Sequence, residues 1–313
     1  MERVLQPTAK IFQLTRAART PLPRSFDRTI DHDLRSTKLS VLMAVYGAEK
    51  PAFLKVCLQS LAAQTRPADE VVLVEDGVLE PELHSVIDRF RHVLPIVPVV
   101  LAENVGLAAA LNAGLALCSG DVIARMDSDD VAHPRRFEKQ LDLLWAQPEL
   151  DIVGTFACEI DENSRIGRLW RRPVHHEGII ASLWANPMIH PSIMMRSATL
   201  QRLGGYDPAL RRSEDHDLWF RAANQQAQFG NIAEPLLFYR FSPRSHARHT
   251  LDAALERARV AAGGAKSLGM PAVMQLACWL PVLRSLLPLQ MRHTAYRLMQ
   301  MLDPRLRRSR TNL

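Results

Sequence analysis

Asp127, Asp129 and Asp130 place three carboxylates within four residues, at the end of an apolar segment running from Val122 to Met126. Like charges this close repel at neutral pH, so a positive group should compensate them. A divalent cation with oxygen ligands fits that demand, completing its shell with phosphate and water. A solvated acidic turn is the alternative. A second acid, Asp76, closes the apolar run Glu70 to Asp76. Ionised, it only accepts hydrogen bonds, as a base or ribose requires, or it caps the turn at Gly77. A third acidic group, Glu214 and Asp215, follows Ser213 and precedes Leu218, Trp219, Ala222 and Ala223 at helical spacing. There Asp215 is placed for general-base work beside Glu214. The competing reading is a first helical turn whose acids meet the macrodipole, with Ser213 as cap.

The elements that must carry these groups alternate. Leu39 to Tyr46, Glu70 to Asp76, Ile96 to Leu101 and Asp121 to Met126 read as buried strands. Pro51 to Gln64, Glu80 to Arg91 and Gly106 to Cys118 read as the helices between them. Such alternation predicts a parallel sheet with helical crossovers, and ligands beyond the carboxyl ends of its strands. Tyr46, Asp76 and Asp127 to Asp130 all stand where a strand stops, so one crevice would gather them. Asn104-Val105-Gly106 opens a helix of small residues, which serves either close approach of a ligand or tight packing. Asp151 to Glu159 and Gly167 to Arg172 read as further strands.

Across 313 residues the formal charge is +6, with basic residues crowded into the first forty and last thirty positions. That distribution favours basic ends on an anionic surface over a nucleic-acid groove. Cys57, Cys118, Cys158 and Cys278 lie far apart with no CxxC spacing, which argues against a zinc site or disulfide framework and for a reducing cytoplasm. Neither a signal peptide nor an eighteen-residue apolar run is evident. We divide the chain into a basic extension (1–38), a main domain (39–248, halves 39–130 and 131–248) and a basic helical region (249–313).

The ordered blocks LSVLMAVYG, VVLVEDG, ENVGLAAALNAGLALCSGDVIARMDSDD and HPRRFEKQ resemble the family 2 glycosyltransferases. These are inverting enzymes with a GT-A fold that use nucleotide-sugar donors. The likeness covers Leu39 to Arg240 and is strongest to bacterial exopolysaccharide enzymes of the amylovoran type. It implies an α/β GT-A fold, a Rossmann-like mixed sheet flanked by helices, with a C-terminal helical extension. Asp76 would meet the uracil or ribose of the donor, Val45 and Tyr46 would line the base pocket, and Asn104 to Gly106 would close the nucleotide side. Asp127 would face the ribose, and Asp129 would hold manganese or magnesium on the diphosphate. Asp130 would stand behind it or cap the helix starting near Pro134.

The resemblance also assigns Asp215 as general base and places Glu214, and His190 of the His-Pro-Ser block, near the acceptor; a neutral core histidine is the other reading of His190. Many relatives carry a histidine where Ser242 stands, leaving His246 or His249 as substitutes. The implied reaction moves a sugar, from a UDP-sugar, to a lipid-linked saccharide in exopolysaccharide or capsule synthesis. Leu251 to Leu268 reads as a helix, and Ala272 to Leu302 as a helical stretch broken by Pro281 and Pro288. Apolar residues around Trp279 followed by arginines would suit the inner face of a membrane, or packing across the main domain. Two other functions compete. Sugar-phosphate nucleotidyl transfer would want a glycine-rich loop where Tyr46 to Pro51 has one glycine. A non-catalytic nucleotide-sugar-binding scaffold tends to lose the aspartates that this chain keeps.

Overall fold

Every residue of β1 (Leu39–Tyr46) from Leu39 to Met43 is buried, because the strand is covered on both faces. Its side chains alternate between two cores. Leu39, Val41, Met43 and Val45 enter one, Leu42 the other. The computed structural model describes residues 37–241 and 250–286. Within them β2 (Glu70–Asp76) and β3 (Ile96–Val100) extend the sheet on one side and β4 (Val122–Arg125) on the other, all parallel. Helices α1 (Pro51–Ala62), α2 (Pro81–Phe90) and α3 (Leu107–Leu115) make the crossovers. Pro51 and Pro81 begin their helices, where the missing N–H is not needed. Tyr46 pairs with Asp76 and Leu42 with Arg125, so these strands end on one side of the sheet.

The second half departs from the parallel sheet that simple alternation predicts. The elements are β5 (Val131–Ala132), α4 (Arg136–Ala146), β6 (Ile152–Ile160), β7 (Ile166–Trp170), α5 (His176–Ala181), β8 (Met194–Arg196), α6 (Ser197–Arg202), α7 (Glu214–Asn224) and β9 (Phe229–Arg240). β8 lies between β4 and β6, antiparallel to both. β9 runs parallel to β6, and β5 pairs antiparallel with β9. The strand order is β3-β2-β1-β4-β8-β6-β9-β5, with β7 beside β6. The outcome is the mixed sheet flanked by helices that the resemblance implies.

Leu54, Leu83 and Phe137 bring α1, α2 and α4 onto one face, while Leu111 and Trp219 bring α3 and α7 onto the other. Burying each such side chain contributes about 1.5–3 kcal/mol. The small residues of α3 serve packing: a Cβ on Gly114 would come within 2.6 Å of Leu42 and Val74. Past residue 249, α8 (Leu251–Ser267) shares the second core through Ala261 and Ala265, and a Cβ on its Gly264 would overlap the Phe220 ring of α7. The broken stretch that follows is α9 (Ala272–Ala277) and α10 (Leu280–Leu286). All four cysteines are free thiols. No helix among the described residues is long and apolar enough to cross a membrane.

Candidate active site

Between β4 and β5 the chain turns through Asp127 to Asp130, and carboxylate oxygens of Asp127, Asp129 and Asp130 lie within 4.8 Å of one another. Burial, then the charges of Asp127 and Glu49, push Asp129 up to about 7, with Arg240 opposing them. Burial and then Asp129 and Asp127 hold Asp130 well above the usual carboxylate range. Crowded oxygens that resist ionisation are what a divalent cation relieves, and the buried Asp130 Oδ2 has no partner among the described residues. These residues therefore fit the cation expected of them. Asp130 does not cap α4, correcting that alternative: its Oδ1 accepts from the Arg240 N–H at 2.7 Å, and Arg135 holds the N-cap position. The neighbouring Asp127 pairs with buried Arg125, Nη1 to Oδ1, at 2.5 Å. Burial works against the Arg125 charge, but Asp127 more than offsets this and its pKa is raised.

Asp76 accepts from Val105 N–H at 2.8 Å through Oδ1 and from Asn104 Nδ2 at 3.0 Å through Oδ2. It thus ties down the turn before α3 instead of capping Gly77. Gly77 has φ +84°, and a Cβ there would come within 2.7 Å of the Asn104 nitrogen, so the two turns meet backbone to backbone. Gly106, at φ +87°, opens α3 with a conformation that side chains rarely adopt. Asp76, Asn104 and Gly106 are therefore together. Val45 corrects one expectation: its side chain is buried in the core, so only Tyr46 of that pair is exposed at the strand end.

Asp215 stands half-buried in the first turn of α7. Its Oδ2 accepts from Asn186 Nδ2 at 2.9 Å and its Oδ1 from the His216 N–H at 2.7 Å. Ser213 occupies the N-cap position, yet its buried hydroxyl makes no cap bond, so the capping reading fails. Burial and then the Asp215 charge push Glu214 up to about 7, and its Oε2 has no partner among the described residues. His190 is buried, with Nε2 2.9 Å from the Tyr206 hydroxyl; burial, then Arg125, hold its pKa well below the usual range. The ring is therefore held neutral, and it touches Tyr206, whose ionisation the acids of the site also influence. Asn112 of α3 grips Tyr206 by both backbone groups, at 2.7 and 2.8 Å. Ser242, His246 and His249 lie outside the described residues.

Burial raises the pKa of the Tyr206 hydroxyl, and the charges of Arg125, Glu214, Asp215 and Asp127 act on it as well. Arg125 and Asp127 act in turn on Glu214. The loop after β4 and the start of α7 therefore face a shared region. Sequence reasoning missed Glu49, Arg125, Asn186, Tyr206 and Arg240. Glu49, whose Oε2 accepts from Ser128 Oγ at 2.9 Å, sits in a loop judged only for its glycine content. Arg125 had a signal, a cation two residues before the acids. Asn186, Tyr206 and Arg240 fell within the span of likeness, Leu39 to Arg240, without a role, since their partners are distant in sequence.

The Glycosyl transferase family 2 model matches residues 40–204. The amylovoran biosynthesis glycosyltransferase AmsE of Erwinia amylovora is 39% identical over 199 residues, 63% of this chain and 74% of that protein. An Escherichia coli UDP-Gal:alpha-D-GlcNAc-diphosphoundecaprenol beta-1,3-galactosyltransferase is 35% identical over 212 residues, 67% of this chain and 77% of its own. Among solved structures, S. aureus TarS 1-349 in complex with UDP-GlcNAc aligns with a TM-score of 0.61 at 18% identity. That alignment covers 83% of this chain and 73% of TarS 1-349, a likeness of fold. With its mixed sheet, its acid-tipped strands and this match over more than half its length, the chain belongs to glycosyltransferase family 2 and is a glycosyltransferase of the GT-A fold.

Proposed function

We propose that the enzyme transfers a sugar from a UDP-sugar to a hydroxyl of a lipid-linked saccharide, inverting the anomeric carbon, in assembly of a cell-surface polysaccharide. Asp215 takes the hydroxyl proton as that oxygen bonds to the anomeric carbon and the bond to the diphosphate breaks. A single displacement of this kind, with base and leaving group on opposite sides, inverts the centre. Asp76, Tyr46 and the Asn104 to Gly106 turn form the nucleoside side, with Asp127 towards the ribose. A manganese or magnesium ion on Asp129, beside Asp127 and Asp130, would neutralise charge on the departing diphosphate. The observation that carries the reading is the cluster of Asp127, Asp129 and Asp130 oxygens within 4.8 Å of one another, suited to a cation, with Asp215 half-exposed on a helix start.

Two relatives support the finer choices. One solved relative is bound to UDP-GlcNAc, and one sequence relative acts on a diphosphoundecaprenol-linked sugar. Attachment to the inner face of the membrane, as the reading has it, is supported by the exposed apolar residues of α9 and α10. These helices expose Val273, Leu276, Leu283 and Leu286, and six arginines against one aspartate follow in 287–313. A thermal-shift screen of UDP-, GDP- and TDP-sugars, with and without manganese, tests the donor. Stabilisation by uridine compounds that grows with manganese is expected; indifference to every nucleotide sugar would overturn the reading.

A further inference from the structure

We infer that Asn186 is the positioning residue for Asp215, aiming its carboxylate at the incoming hydroxyl; this rests on the reading of Asp215 as the base. Asn186 adopts a left-handed backbone, φ 51° and ψ 78°. That conformation costs on the order of 1 kcal/mol for a residue with a side chain, asparagine bearing it better than most. The turn is held in place from two directions. Asn186 N–H donates to the Leu183 carbonyl at 3.0 Å, and the buried His216 ring nitrogen Nε2 sits 2.6 Å from the same oxygen. His216 follows Asp215 directly, so the strained turn and the acid are referenced to one point on α7.

From this position Asn186 gives its amide to Asp215 Oδ2 at 2.9 Å. Among the described residues, the other oxygen is held by the next residue's own N–H. Without Asn186 the carboxylate would keep a local bond alone and turn more freely about its terminal torsion, which is broad for aspartate. With it, both oxygens are fixed and each retains a lone pair for the acceptor's proton. Among the described residues, the titratable and charged groups near the pair include Glu214 and His216 on the same helix, Tyr206 from the preceding loop, and Arg125 and Asp127 beyond it. Among them Asn186 is the neutral donor that bonds the Asp215 side chain.

Glycine accepts the left-handed backbone at least as well as asparagine, so Asn186→Gly removes the amide and spares the turn. Steady-state kinetics over a pH series, with melting curves, form the test. Asn186→Gly is expected to lower kcat about 10- to 100-fold with donor KM and melting temperature near the parent. The acid limb of the kcat profile should move up by about one pH unit, because a hydrogen bond to the ionised form is lost. Asn186→Asp, similar in size and also tolerant of this backbone, should move that limb further by like charge, and it carries the test should the glycine variant lose stability. A parent-like kcat, or a fall in kcat with the acid limb unmoved, would overturn the inference. Asp215→Asn, run alongside, separates the two ideas. If it is inactive while Asn186→Gly is normal, only the role of Asn186 falls; if it is active, the base assignment falls with it.

Discussion

Arg240 donates through Nε to the carbonyl oxygen of Asp129 at 2.7 Å, so a residue at the end of β9 holds the peptide carrying the candidate cation ligand. The same guanidinium reaches the Asp161 carbonyl at 2.7 Å and lies over the Phe53 ring, 4.2 Å from its centroid. Arg240→Met keeps the apolar stem and removes the planar fork. Manganese affinity, read by calorimetry, should fall about tenfold or more, the usual effect of losing a group that orients a ligand. Arg240→Lys, which keeps a charge without the fork, should fall between.

Two aspartates should fail in different ways. Asp129→Asn should leave nucleotide-sugar binding that no longer responds to manganese. Asp215→Asn should bind the donor with affinity within about twofold of the parent while turnover drops about 10²- to 10⁴-fold, the range of a lost general base. Calorimetry of donor binding beside a single-turnover transfer assay distinguishes them. Loss of donor binding in Asp215→Asn would contradict the division of roles.

Glu214 predicts a stability profile. Burial and Asp215 raise its pKa from 4.5 to about 7 in the folded protein, so the folded state binds the extra proton. Its contribution is full below about pH 4.5 and is lost as pH rises through about 7. Glu214→Gln removes that dependence. Relative to the parent, the variant should gain roughly 2–3 kcal/mol on passing from pH 4.5 to pH 8. Urea midpoints at the two pH values measure it, and parallel profiles would reject it.

Gly264→Ala tests whether α8 is seated on α7. In an open helix this change would stabilise by about 1 kcal/mol. Here the new methyl would overlap the Phe220 ring, and overpacking costs about 1–3 kcal/mol. A lowered urea midpoint is expected, with weaker transfer because α7 carries Asp215. A raised midpoint would show that the two helices do not meet as described.

Several local expectations changed on folding for identifiable reasons. Ser213 and Asp130 both have the residue type of a helix cap. Ser213 makes no cap bond, and Asp130 bonds instead to the backbone of Arg240, 110 residues away. The resemblance made Val45 a pocket wall, but the period-two alternation of β1 turns its side chain into the core. His190 is buried and neutral, and only the fold shows that its partner is the Tyr206 hydroxyl, 16 residues on.

What the sequence by itself determined is the alternation of buried strands and helices, the acids at the strand ends and the three-carboxylate turn. Burial period and charge spacing are properties of neighbouring residues, so they can be read without a fold. Tertiary structure alone decided which groups face one another: Asn186 with Asp215, Arg240 with Asp129, Asn112 with Tyr206. Those pairings depend on β8 and β9 returning between and beyond earlier strands, an order set by the packing of the whole sheet.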